Sequence, residues 1–184
     1  MRRLLVVIGV AALTVPLLAG PAGAASVTSA DPRGDGVGPG DVRALNVEQH
    51  NDVLRLRVRT ERPLDLDRAP AWHREGSLTL LRIFIDSDSE PGANWVVVVK
   101  PAATDLQTRL VALDQAAPRD GCIPSLGQPQ PTIIQLAFGI SCVSSHGQVR
   151  AYASYRFDQG GDGTVQSFDR VPNAGFGPRL TLVT

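Results

Sequence analysis

Residues Val53 to Thr60 read VLRLRVRT, a strict period-two alternation. Leu54, Leu56 and Val58 fall on one side, and Arg55, Arg57 and Arg59 on the other. Successive side chains point to opposite faces only in an extended strand; a helix would scatter the same residues around its circumference. The segment therefore predicts a half-buried strand of an antiparallel sheet, with the leucines on a core and the arginines in water. Arg62, just beyond, adds a fourth positive charge on that side. Such a ladder is ordinarily the wet face of a sheet, and the same row can also serve as an anion-binding strip.

The rest of the chain follows the same logic. Leu78 to Lys100 is LTLLRIFIDSDSEPGANWVVVVK, two apolar runs flanking the acidic turn Asp86-Ser87-Asp88-Ser89-Glu90-Pro91-Gly92. It reads as a central β-hairpin, and its aliphatic density predicts burial on both faces. Val42 to Glu48, Gln107 to Asp114, Thr132 to Cys142 and Arg179 to Thr184 predict further strands. Gln148 to Phe157 alternates, with Val149, Ala151, Ala153 and Tyr155 inward and Arg150, Tyr152, Ser154 and Arg156 outward. Pro, Gly and Asn cluster between these runs, as turns require. Glu61 to Gly76, with Pro63 and Pro70, reads as a connection whose Leu64, Leu66 and Ala71 cap one end of the core. Ala116 to Pro131 and Val171 to Pro178 read as loops. The expected fold is all-β: an antiparallel, jelly-roll-like β-sandwich of about eight strands with one disulfide.

The first 24 residues stand outside that fold. Met1-Arg2-Arg3 is a charged start, Leu4 to Leu18 is an apolar run, and Ala22-Gly23-Ala24 is a small-residue cleavage site. This is the pattern of a secretory signal peptide. The apolar run is short for a bilayer span, so no membrane insertion is expected after cleavage. Residues 25–41 read as a Gly-, Pro- and Asp-rich loop, and 42–184 as a single domain. The whole chain carries 18 basic and 18 acidic side chains; without Arg2 and Arg3 the balance is 16 against 18, a net charge of −2. That balance gives no reason to expect nucleic acid as a partner. In an exported chain the two cysteines, Cys122 and Cys142, are best read as a disulfide. Closing a loop of about 20 residues stabilises by about 3 kcal/mol on the chain-entropy model.

Candidate chemistry is sparse. Asp86, Asp88 and Glu90 alternate around one turn and can surround a hard cation such as Ca²⁺. The turn is not an EF-hand: Pro91 and Val97 stand where that loop needs its Gly and its bidentate Glu. Asp31 and Asp35, with Asp41, complete a shell only if the N-terminal loop folds over the hairpin. Asp158, Asp162 and Asp169 form a second acidic set, and the ordinary alternative for both sets is turn capping by Asp side chains. Arg33-Gly34-Asp35 matches the tripeptide of adhesion ligands. No Gly-x-Ser-x-Gly surrounds Ser141, and His50, His73 and His146 are scattered among turns, so no catalytic residue is singled out. Trp72 and Trp95 are the only tryptophans. Trp72, in a Pro-bounded loop, is the better candidate for stacking on a ligand; Trp95 opens an apolar strand and reads as a core or rim residue.

The order of features resembles a known group. An Asp-Pro-x-Gly-Asp loop (Asp31 to Asp35) precedes an alternating strand pair (Val42 to Thr60). A strand ending in Ile-Asp-x-Asp (Ile85 to Asp88) and a strand opening on Trp95 follow. This is similar to extracellular β-sandwich domains of the DOMON and family 9 carbohydrate-binding-module kind. The later part, with Cys142, Val149-Arg150 and Phe168-Asp169-Arg170-Val171-Pro172, resembles uncharacterised secreted bacterial proteins. The resemblance covers most of the chain after residue 24 and implies a domain that binds sugars, haem or Ca²⁺ without doing chemistry. Haem needs Met or His ligands, and Met1 is the only methionine. Sugar binding would need an aromatic clamp, for which Trp72 and Trp95 are the available residues. The expectation is therefore a secreted, non-enzymatic binding domain for an extracellular glycan or cell-envelope component, with structural Ca²⁺ as a candidate cofactor. The rival readings are a secreted hydrolase, or an adhesion protein without a small-molecule ligand.

Overall fold

The structure is a computed structural model, and it describes residues 25–31, 38–88, 90–102, 105–114, 117–143 and 147–183. The expected signal peptide (1–24), Arg33-Gly34-Asp35 and His146 lie outside the described residues. Among the described residues twelve strands follow in chain order: β1 (Ser26–Ala30), β2 (Val42–His50), β3 (Val53–Thr60), β4 (Leu80–Asp86), β5 (Trp95–Pro101), β6 (Leu106–Ala112), β7 (Ala117–Pro118), β8 (Ser125–Gln130), β9 (Ile133–Gly139), β10 (Gln148–Phe157), β11 (Ser167–Val171) and β12 (Leu180–Thr181). A single helical turn, α1 (Pro70–His73), lies between β3 and β4.

The strands form two antiparallel sheets. One has the order β1-β2-β3-β9-β8; the other has β11-β10-β4-β5-β6-β7, with β12 also pairing β10. The all-β sandwich expected from the alternations is thus the observed architecture, and Cys122 is bonded to Cys142. The β4–β5 hairpin sits at the centre of its sheet, with Leu81 opposite Val99 and Ile85 opposite Trp95. Leu54, Leu56 and Val58 of β3 are completely buried against the core, facing in the same direction as Leu45 and Val47 of β2 and Leu136 of β9. Across the interior stand Leu81, Ile83, Ile85, Val97, Val99 and Tyr155. Leu64, Leu66 and Ala71 are buried at one end, as expected.

Three segments differ from the sequence reading. Residues 26–30, expected as loop, form the edge strand β1, in register from Ser26 opposite Glu48 to Ala30 opposite Ala44. The Gly- and Pro-rich composition that argued for a loop begins only after Ala30; SVTSA itself pairs readily at an edge. Likewise β8 lies inside the expected loop 116–131. It is the opposite edge, where Pro129 is tolerated and an irregularity falls between Gly127 and Gln130. The hairpin is not buried on both faces: along β4, Leu80, Arg82 and Phe84 are half-exposed while Leu81, Ile83 and Ile85 are buried. One face packs on the other sheet, and the second is covered among the described residues only in part, by Phe176 over Tyr152.

β11 and β12 are two pieces of one interrupted edge. Val171 pairs with Ala153, Leu180 pairs with Val149, and between them the Gly177 N–H donates to the Ala151 carbonyl at 2.9 Å. The Val171–Pro172 peptide is cis. Residues 172–176 leave the edge and return at Gly177, where any Cβ would collide with the Ser29 side chain. A larger residue here would require Ser29 to turn its hydroxyl aside and the Ala151 carbonyl, 3.1 Å from such a Cβ, to give slightly.

Candidate functional site

The seven-stranded sheet carries an aromatic–arginine row on its outer face. Phe84 and Tyr152 are opposite in register, and their rings stack at 4.6 Å and 13°. Arg82 lies 5.8 Å from the Phe84 ring centre, and Arg170 lies 4.1 Å from that of Tyr152. Phe176, from the loop after β11, meets Tyr152 edge-on at 5.1 Å, and Arg150 lies 4.8 Å from the Phe176 ring. Arg170 also donates to the Gly175 carbonyl at 2.8 Å. Ring stacking and cation–π contacts of this kind contribute about 0.5–1.5 kcal/mol each. The row fastens the 172–177 excursion to the sheet, so its aromatic surface is engaged internally. The outward placement of Tyr152 was legible in the alternation of β10. Its partners were not, because they depend on register between strands far apart in sequence.

The hairpin tip is built as a turn. Asp86 is fully buried and pairs with Arg150 (Nε to Oδ2, 2.6 Å). The Asp88 carboxylate accepts from the Glu90 backbone N–H at 3.0 Å and from Asn94 Nδ2 at 2.8 Å. The Ser87 N–H donates to Asn94 Oδ1 at 3.0 Å, and the Ser87 hydroxyl donates to the Val143 carbonyl. The Glu90 side chain is exposed. Asp31, also buried, lies beside Asn173 (Nδ2 to Oδ1, 3.4 Å), and its N–H donates to the Arg43 carbonyl. Among the described residues, no three His, Cys, Asp or Glu side chains converge as a metal-holding group; Asp35 lies outside them.

The second acidic set is also structural. Asp158 is buried, and its carboxylate accepts the N–H groups of Leu78 (3.0 Å), Gly163 (2.8 Å) and Asp162 (3.2 Å). Burial pushes its pKa up, but the backbone N–H groups of Leu78, Gly163, Asp162 and Gly161 outweigh that and leave it below the ordinary carboxylate value. Asp169 accepts the Val42 N–H at 2.5 Å, joining β11 to the start of β2.

The tryptophans do not form a clamp, and for Trp72 this corrects the expectation of a ligand contact. Trp72 is fully buried, with its ring stacked on Tyr155 at 6.0 Å and 14°. Its Pro-bounded segment folds inward as α1, because Pro70 opens a helical turn and the indole has an end of the core to fill. Trp95 is half-buried, with Arg119 lying 5.0 Å from its ring centre and donating to the Cys142 carbonyl at 2.7 Å. Tyr155 is in register with Leu81, Leu81 with Val99, and Trp95 with Ile85. The two indoles therefore sit at opposite ends of β5, about 13 Å apart along the strand. His73 is held to the Leu66 carbonyl at 2.6 Å.

The outer face of the five-stranded sheet has a different character. There the arginines of β3 stand beside Glu48, Asn46, Gln135 and the small residues of the flanking strands. Arg57 is placed between Asn46 and Gln135 by register. Its guanidinium donates to Gln135 Oε1 at 2.9 Å and pairs with Glu48 at 2.9 Å. Arg55 approaches the same carboxylate at 3.9 Å. Asn46 donates to Thr28 Oγ1 at 3.0 Å and to the Val27 carbonyl at 3.3 Å. Arg59 is exposed and has no hydrogen bond or ion pair among the described residues. These side chains enclose a groove of about 410 Å³, with Ala44 and Ile133 as its apolar part and Thr28, Asn46, Glu48, Arg57 and Arg59 as its polar part. Because strand pairing spaces neighbouring chains about 4.8 Å apart, the short side chains of Ser26, Thr28 and Ala44 beside the long ones at 57 and 59 leave a trough.

No family model matches the chain, and no curated protein or solved structure matches it.

Proposed function

We propose that the chain is a secreted, non-enzymatic binding domain whose ligand, an extracellular carbohydrate, lies in the groove over β1, β2 and β3. The observation that carries this reading is the lining of the groove. Ala44 and Ile133 offer apolar contact to the C–H face of a sugar, while Thr28, Asn46, Glu48 and Arg57 surround it with donors and acceptors for hydroxyls. Asn46 and Arg57 are held in place by Thr28, Gln135 and Glu48, so little side-chain freedom is lost on binding. Recognition here would use hydrogen bonds over a small apolar floor in place of the aromatic clamp. Secretion rests on the charged start, apolar run and small-residue site within residues 1–24.

A glycan array with the protein and its Asn46→Ala variant tests this reading. Asn46 Oδ1 accepts no bond from the described residues, and a lost neutral hydrogen bond of about 1 kcal/mol corresponds to roughly fivefold weaker binding. Absence of any glycan binding, or binding indifferent to Asn46, defeats the proposal. A structural Ca²⁺ belongs to the same proposal only at the hairpin tip, through Asp88 and Glu90. Thermal melting in EDTA and in added Ca²⁺ is expected to separate by several degrees if that ion is bound, and coincident curves remove it.

A further inference from the structure

We infer that the ligand of the groove is an acidic saccharide, a glycan bearing carboxylate or sulfate groups, aligned along β3 and anchored by Arg59. The inference rests on the groove reading and adds the charge of the ligand to it. Arg55, Arg57 and Arg59 project from one face of β3, and positions two apart on a strand are spaced about 7 Å. The carboxylate paired with this row is Glu48, at 2.9 Å from Arg57 and 3.9 Å from Arg55. One negative charge thus faces three positive ones in a chain whose formal net charge is zero. Arg57 is fixed by Glu48 and Gln135, Arg55 is loosely held, and Arg59 has no partner among the described residues. An exposed guanidinium at the end of a groove offers a planar fork for bidentate binding of a carboxylate or sulfate. Thr28 and Asn46 supply the hydroxyl-directed contacts beside it. A single-stranded nucleic acid would carry the same charge but stacks its bases on aromatic side chains, and none lines this groove.

Binding is measured by calorimetry with an oligogalacturonate, a sulfated dextran and an unsubstituted dextran of similar length, with single-stranded DNA as a further ligand. The wild-type protein is expected to bind one of the two acidic saccharides and to lose affinity as salt rises. Which of the two binds tells carboxylate from sulfate recognition. Arg59→Ala is expected to weaken that binding about tenfold or more with an unchanged Tm, because the side chain is exposed and unpaired; Arg59→Lys should recover only part of it. Glu48→Gln releases Arg55 and Arg57 and is expected to bind the acidic saccharide several-fold tighter, a gain that misfolding cannot mimic. Equal affinity for acidic and unsubstituted dextran, or indifference to Arg59, overturns the acidic assignment while leaving the groove reading intact. Absence of binding to every saccharide overturns both, and tighter binding of DNA than of either acidic saccharide assigns the row to nucleic acid instead.

Discussion

Trp72→Ala is expected to lower the stability of the domain by about 3–5 kcal/mol. For a chain of this size that is a fall in Tm of about 10 °C or more. The indole is fully buried, stacks on Tyr155, and closes the end of the core where Leu64, Leu66 and Ala71 also pack. Its removal leaves a cavity that α1, a single turn opened by Pro70, has little freedom to fill. The indole Nε1 makes no hydrogen bond among the described residues, so the loss is one of packing, and Trp72→Phe should retain much of the stability. Thermal or urea unfolding of the variants checks this. A normal Tm for Trp72→Ala, with altered ligand binding, would restore the indole to the surface role that its Pro-bounded sequence suggested.

Asp158→Ala is expected to cost about 3 kcal/mol, since hydrogen bonds to a charged group are worth about 1.5–3 kcal/mol each and their losses overlap. One carboxylate gathers the N–H groups of Leu78, Asp162 and Gly163. The Asp158 N–H donates to the Thr79 hydroxyl, which in turn donates to the Asp158 carbonyl. The turn also closes on α1: Gly161 has φ +62°, and any Cβ there would collide with the Pro70 carbonyl. The pKa of Asp158 is lowered in the folded state, whereas the unfolded carboxyl titrates near about 3.9. Below that value the unfolded chain takes up a proton that the folded chain resists. The stabilisation is therefore complete above the unfolded pKa and is lost as pH falls through it toward the folded one. Wild-type Tm should fall more steeply than that of Asp158→Asn between about pH 5 and pH 2. Parallel acid profiles for the two proteins would contradict this account.

These two residues also show how far the sequence alone reaches. The alternations of β3 and β10 and the cysteine pair predict two-sided strands, a sandwich and a disulfide, whereas the aliphatic runs of β4 and β5 predict strands but not their exposed face. Period and composition are local properties, and the chain needs no partner to express them. Short edge strands such as β1 and β8 escaped, because an edge asks little of its residues and SVTSA or SLGQPQ is as polar as a loop. The candidate sites were read less well. Whether Trp72 lies in water or in the core depends on which way α1 turns, and that is settled by the space between the sheets. The acidic turns read equally as ion sites or caps until Arg150 met Asp86 and the backbone of 161–163 met Asp158. The arginine ladder was visible in the sequence as four charges on one side. Only the pairing of β3 with β2 and β9 decided that Arg57 is matched by Glu48 and Gln135 while Arg59 is left open. Along β3 the sequence by itself determined which residues face the core and which face water, because that follows from a two-residue period. Only the tertiary structure decided which outward charges are neutralised, because that depends on register between strands up to about eighty residues apart in the chain.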